Sequence, residues 1–100
     1  MAEFVVASTQ ELTPGSGKVM EINGQSIAVF NVDGTYYATD NTCVHRGGPL
    51  GEGELEGEVV TCPWHAWQYN VKTGISVNNP SARVRTYPVK VEGNDVKISL

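Results

Sequence analysis

The sequence predicts an all-β fold, an antiparallel β-sandwich or small barrel with a smaller, loop-rich subdomain inserted into it. Two observations lead there. Short runs rich in valine, isoleucine, phenylalanine and tyrosine recur between turn dipeptides such as Asn23-Gly24 and Asp33-Gly34, the pattern of meanders and sandwiches rather than of helices. Between two β-rich ends, residues 40–80 hold glycines at 47, 48, 51, 53, 57 and 74, a density that suits tight loops and close backbone approach.

The elements follow in order. Residues 4–7 begin as a strand. Ser8-Thr9-Gln10-Glu11 has capping-box spacing, but Pro14, Gly15 and Gly17 stop any helix within a turn. Residues 18–22 and 26–32 flank Asn23-Gly24 as a hairpin, and Asp33-Gly34 turns the chain into 35–39, completing a meander. Inside the insert, strands are expected at 58–61 and 67–71. Residues 87–91 and 96–100 flank Glu92-Gly93-Asn94-Asp95 and close the chain as another hairpin. Tyr36 and Tyr37 read as ordinary sheet residues, and Arg83 and Arg85 as surface charges. Glu52, Glu54, Glu56 and Glu58 recur at every second position, which reads as a solvated hairpin edge.

One hundred residues with 40% hydrophobic and 18% charged content describe a single soluble globular domain, too small for a core plus an appended catalytic domain. No apolar run approaches a membrane span, and the first ten residues lack the basic and apolar regions of an export signal, so a cytoplasmic, membrane-free protein is expected. A net charge of −4 with no basic stripe argues against nucleic-acid binding and suits docking on a basic protein surface.

The two cysteines and two histidines, the only ones in the chain, fall into two clusters. Cys43-Val44-His45 is followed by sixteen residues and then by Cys62-Pro63-Trp64-His65. Two thiolates and two imidazoles from two loops suit a [2Fe–2S] centre with sulfur ligands on one iron and nitrogen on the other. Two other readings exist. A Cys43–Cys62 disulfide would need an oxidising compartment and would leave both histidine placements unexplained. Structural zinc usually pairs like ligands at short spacing, whereas each pair here is mixed. Gly47 and Gly48 would let backbone N–H groups point at cluster sulfur, and Pro63 would fix the loop entering the second pair.

At these residues a resemblance becomes specific. Cys43-Val44-His45-Arg46-Gly47-Gly48-Pro49-Leu50 and Cys62-Pro63-Trp64-His65-Ala66-Trp67-Gln68-Tyr69 resemble the two boxes of Rieske proteins. Gly51 to Gly57 is similar to that family's inter-box loop, Thr73-Gly74 to the residues after the second box, and Thr86 to Gly93 to the closing hairpin of Rieske-type ferredoxins. The resemblance implies a Rieske-like sandwich in one domain, 1–100, with a cluster-binding subdomain at about 40–80 and a β base from the remainder. It implies one [2Fe–2S] cluster held by Cys43 and Cys62 on one iron and His45 and His65 on the other, at an exposed tip. Asn78-Asn79-Pro80 is the candidate for the family's third, shielding loop.

Departures from the family pattern narrow the function. Respiratory Rieske subunits carry two further cysteines where this chain has Gly48 and Trp64, a membrane anchor, and a serine donor where it has Trp67. Oxygenase large subunits need a second, mononuclear iron, and no histidine remains for one. The resemblance therefore implies no catalysis and no small-molecule substrate. It implies an electron-transfer ferredoxin that accepts from an NAD(P)H-dependent flavin reductase and delivers to a terminal, ring-hydroxylating type oxygenase. Two alternatives are the Rieske small subunit of a larger reductase, such as NADH-dependent nitrite reductase, and a non-redox zinc-binding interaction module.

Overall fold

A computed structural model describes residues 3–42, 49–63 and 67–99. Ten strands run in chain order: β1 (Glu3–Ser8), β2 (Gly17–Ile22), β3 (Gln25–Val32), β4 (Thr35–Asp40), β5 (Glu54–Glu56), β6 (Val59–Thr61), β7 (Gln68–Asn70), β8 (Thr86–Tyr87), β9 (Val89–Glu92) and β10 (Asp95–Ser99). One 3₁₀ turn, Leu50–Glu52, precedes β5, and the described residues contain no α-helix. All pairings are antiparallel, in three sheets ordered β1-β10-β9, β2-β3-β4-β8 and β5-β6-β7.

The meander forms as its turn residues dictate. Asn23 and Asp33 adopt left-handed backbone ahead of Gly24 and Gly34, which gives both two-residue hairpins the twist that their strands require. The capping box closes as well. Ser8 N–H donates to Glu11 Oε1 at 3.0 Å and Glu11 N–H to Ser8 Oγ at 3.1 Å, yet the chain turns away without a helix. The Lys18 ammonium beside Glu11 holds its carboxyl below the usual carboxylate range.

β3 lies at the centre. Ile27, Ala28, Val29 and Phe30 are all fully buried, because both faces of this strand are covered. Ile27 and Val29 pack with Val6, Leu12, Val96 and Ile98 between the first two sheets. Ala28 and Phe30 point the opposite way and pack with Leu50, Val60, Cys62 and Tyr69 of the 40–80 segment. A continuous apolar run, rather than an alternating one, is the mark of a strand buried on both sides. Burial of each large side chain contributes about 1.5–3 kcal/mol, so the second core ties the inserted sheet to the base.

The closing segment differs from the single strand expected at 87–91. Pro88 lacks an N–H and cannot continue a ladder, so β8 pairs with β4 in one sheet and β9 with β10 in another. A strand that changes sheets at such a point makes a sandwich corner. Tyr87 secures it by donating its hydroxyl to Asp40 Oδ1 at 2.5 Å. Burial and that acceptor push the Tyr87 phenol above its ordinary value, with the Arg85 charge acting against them. A raised folded-state value means that the unfolded chain ionises first, so stability is present at neutral pH and falls as pH rises beyond about 10. Tyr87→Phe should flatten the alkaline limb of a stability-versus-pH curve measured by urea unfolding.

Candidate metal centre

Of the four expected ligands, the described residues include Cys62. Cys43, His45 and His65 lie outside them, as do Arg46, Gly47, Gly48 and Trp64. The structure does describe the ends of both ligand loops and what holds them.

The first loop is closed at its neck by an antiparallel pair between Thr42 and Pro49. Asn41 reinforces that closure from inside. Its carbonyl accepts from Leu50 N–H at 2.6 Å, and its Oδ1 from Gly51 N–H at 2.7 Å. Its own N–H and Nδ2 donate to Ser26 of β3, at 3.0 Å to the carbonyl and 3.1 Å to Oγ. One buried side chain thus ties both ends of the 43–48 segment to the central strand. Sequence reasoning passed over Asn41; the signal available was a polar residue directly after a strand and two before an expected ligand.

The second loop is closed by Cys62 N–H donating to the Trp67 carbonyl at 2.6 Å, continuing the register of Thr61 with Gln68. Cys62 itself is buried in the second core. The two loops converge because Leu50, at the exit of the first, packs in that same core, and because Glu54 of β5 pairs with Thr61 immediately before Cys62. Gly53 makes the approach possible. A Cβ there would fall well inside contact distance of the Thr61 carbonyl. Glu52, Gly53, Glu54, Thr61, Cys62 and Pro63 line the groove between the two loops.

The third loop meets the second. Gln68 N–H donates to Asn78 Oδ1 at 2.6 Å, and Val77 N–H donates to the Gln68 carbonyl at 2.8 Å. Ser76 Oγ accepts from Asn79 N–H at 3.3 Å, shaping the turn into Pro80. The described ends of all three loops therefore stand at one end of the β5-β6-β7 sheet. The alternating glutamates form the solvated edge that their spacing predicts: Glu54 and Glu56 face solvent on edge strand β5 while Leu55 packs inward, and Glu52 and Glu58 are exposed. Tyr36 and Tyr37 pack against opposite cores as sheet residues do.

The residues present fit an iron–sulfur centre. Cys62 is buried where β6 ends, the described ends of the 43–48 segment are anchored beside it through Leu50, and backbone too close for a side chain joins Gly53 to Thr61.

Comparison with known proteins agrees. The chain matches the Rieske [2Fe-2S] domain over residues 2–88, and it belongs to that family. It therefore carries a Rieske-type [2Fe–2S] cluster, not structural zinc. Among its relatives is the ferredoxin component of the naphthalene 1,2-dioxygenase system of Pseudomonas aeruginosa, 37% identical over 91 residues, covering 90% of this chain and 88% of the relative. The solved complex of reduced oxygenase and oxidized ferredoxin in carbazole 1,9a-dioxygenase contains a chain that superposes with a TM-score of 0.89 at 30% identity, over 96% of this chain and 100% of that one. The small subunit described as a putative NADH-dependent nitrite reductase from Mycobacterium tuberculosis also superposes, with a TM-score of 0.89 at 21% identity over 97% and 93% of the two chains; at that identity it shares the fold alone.

Tyr69 lies fully buried in β7, seven residues after Cys62. No buried side-chain nitrogen or oxygen among the described residues lacks a hydrogen-bond partner. By its resemblance to high-potential Rieske proteins, its hydroxyl is expected to donate to a ligand cysteine. Hydrogen bonds to sulfur stabilise the more negative reduced state, within a family range of roughly −150 to +300 mV. Tyr69→Phe should lower the midpoint modestly in a potentiometric titration. With Trp67 in place of the serine donor, the wild-type value should fall in the lower half of that range.

Proposed function

We propose that the protein is a one-electron carrier of a multicomponent oxygenase system, with Cys43, His45, Cys62 and His65 as the cluster ligands and no catalytic chemistry of its own. Residues at about 40–80 form the cluster-binding part of the single domain, and the remainder its β base. The cluster, when bound, supplies a site that takes up and returns one electron. The chain's own residues hold it, keep water from its sulfur side and present its histidine side.

One observation supports this reading: the described ends of three loops meet at one end of the β5-β6-β7 sheet, beside buried Cys62. Such a placement leaves one end of a small protein free to meet another protein and to release it again. The partners are an NAD(P)H-dependent flavin reductase and a terminal oxygenase of the ring-hydroxylating type. Similarity to ferredoxin components at 37% identity supports this over the fixed small subunit of a larger reductase, to which the likeness is of fold alone. Among the described residues no helix is long and apolar enough to cross a membrane, and we place the carrier in the cytoplasm.

Reconstitution tests the proposal. The purified protein should be red-brown, be reduced by NADH only when a flavin reductase is added, and be reoxidised by a terminal oxygenase with its aromatic substrate and oxygen. Elution as a stable hetero-complex with a reductase, with no transfer to an oxygenase, would replace the shuttle with the fixed-subunit reading.

A further inference from the structure

Among the described residues two asparagines are buried, Asn31 and Asn41. One sits near the end of β3 and the other bonds to its start. Asn31 donates its Nδ2 to the Leu12 carbonyl at 2.8 Å and accepts from Gly34 N–H at 2.7 Å, bonds that stay within the β base. Asn41 performs the same chemistry at the neck of the 43–48 segment. Its Nδ2 donates to Ser26 Oγ and its Oδ1 accepts from Gly51 N–H. One bond reaches the base and the other the exit of the segment, so this amide couples the two.

Gly51 shows how closely they are fitted. A Cβ there would fall well inside contact distance of Val19 and would crowd Asn41 Oδ1 and the Lys18 carbonyl, at 3.1 and 3.3 Å. A Cβ on Gly17 would crowd the Phe30 ring and the Gly51 carbonyl, at 2.9 and 3.1 Å. The exit turn is thus seated in a slot between Asn41 and β2 that only glycine leaves open. The second loop is moored differently: Cys62 N–H on the Trp67 carbonyl extends strand register inside the β5-β6-β7 sheet. Asn41 therefore stands where the first loop is attached to the base.

We infer that Asn41 is the positioning residue of the first cysteine-histidine pair. Cys43 follows it by two residues and His45 by four, and the inference rests on both being ligands, as proposed above. Asn41 acts through the segment. With both ends of a short segment fixed, much of its freedom is lost before a cluster binds, and its donors stay aimed at sulfur. Removing the amide leaves the buried Gly51 N–H without its acceptor, and the neck opens more often.

The test compares Asn41→Ala with Asn31→Ala in the holoprotein. Iron release to a chelator, at a temperature where thermal melts show every variant folded, should be about tenfold faster in Asn41→Ala, the effect of one lost hydrogen bond on local opening. Its reduced EPR signal should broaden and its midpoint fall, because fewer ordered donors face the sulfur. Asn31→Ala should melt at a lower temperature yet keep the wild-type release rate, line shape and midpoint. Asn41→Asp retains the acceptor and takes the Ser26 hydroxyl as a donor, so it should hold the cluster with the wild-type release rate and line shape. Release, line shape and midpoint in Asn41→Ala that match those of Asn31→Ala would overturn the positioning role. Failure of Asn41→Asp to hold the cluster in the wild-type manner would overturn it too, and decides the question if Asn41→Ala cannot be isolated with iron. Cys43→Ser separates this from the ligand reading: a variant with its full iron content would overturn both, whereas one stripped of iron leaves that reading standing whatever Asn41 does.

Discussion

Cys62→Ser is expected to strip the protein of its visible chromophore and of most of its folded population. Two losses combine. The side chain belongs to the second core, packed with Leu50, Val60 and Tyr69, where a polar hydroxyl would replace a thiol that packs as a small hydrophobe. The larger loss is the cluster, because a metal site that forms only in the folded chain contributes its binding free energy to folding. Domains of this size bury a limited core and hold a net stability of only about 5–15 kcal/mol, so the variant should lack a cooperative urea transition. Iron and acid-labile sulfide should fall from two of each per chain to background. A red-brown variant retaining two irons would show that Cys62 is not a ligand.

The proposed ligand set rests on the sequence: cysteine and histidine occur nowhere else in the chain, so their spacing is read without competing candidates, and of the four Cys62 lies among the described residues. The meander was legible for a similar reason: Asn23-Gly24 and Asp33-Gly34 each permit one tight hairpin, and the register follows from the turn. What remained hidden depended on contacts far apart in sequence. The hydrophobic run from Ile27 to Phe30 marked a strand, but only its packing against two different sets of residues makes it the shared wall of two cores. Pro88 was visible as a residue that cannot donate, yet the expected strand ran through it, because nothing local says that β8 and β9 serve different sheets. Asn41 carried no motif at all. Its role comes from four hydrogen bonds that require Ser26, Leu50 and Gly51 to be near it.

The charged residues show the same division. Spacing identified the glutamates as one exposed edge, since alternation along a strand is a local property. Arg83 and Arg85 read as unremarkable surface charges. That neither makes an ion pair with a described carboxylate, and that Ile75 opposite Arg83 is exposed, are properties of the folded surface.

Gly53→Ala is expected to destabilise the protein by about 3 kcal/mol, the upper end of the overpacking range, and to do so at the cluster. Backbone strain plays no part, since Gly53 has φ −78° and ψ 170°, ordinary extended backbone for any residue. The penalty is collision. The new methyl would meet the Thr61 carbonyl, which cannot rotate away as a flexible side chain would, and Thr61 is already paired with both Glu54 and Gln68. Relief requires β6 to move, carrying Cys62 with it and opening the gap between the two ligand loops. Gly57→Ala supplies the contrast from the same hairpin. Gly57 sits at φ +60° with open space where its Cβ would go, so it suffers only the left-handed penalty of roughly 1 kcal/mol. For a domain of this length each kcal/mol moves Tm by about 4–8 °C, so the two variants should be well separated in thermal melts followed at the cluster absorbance. Gly53→Ala should also lose iron faster to a chelator at a temperature where both variants are folded, because its strain lies between the ligand loops and that of Gly57 lies in a solvated turn. Equal melting and equal iron loss in the two variants would mean that the loops are not held by this close backbone approach.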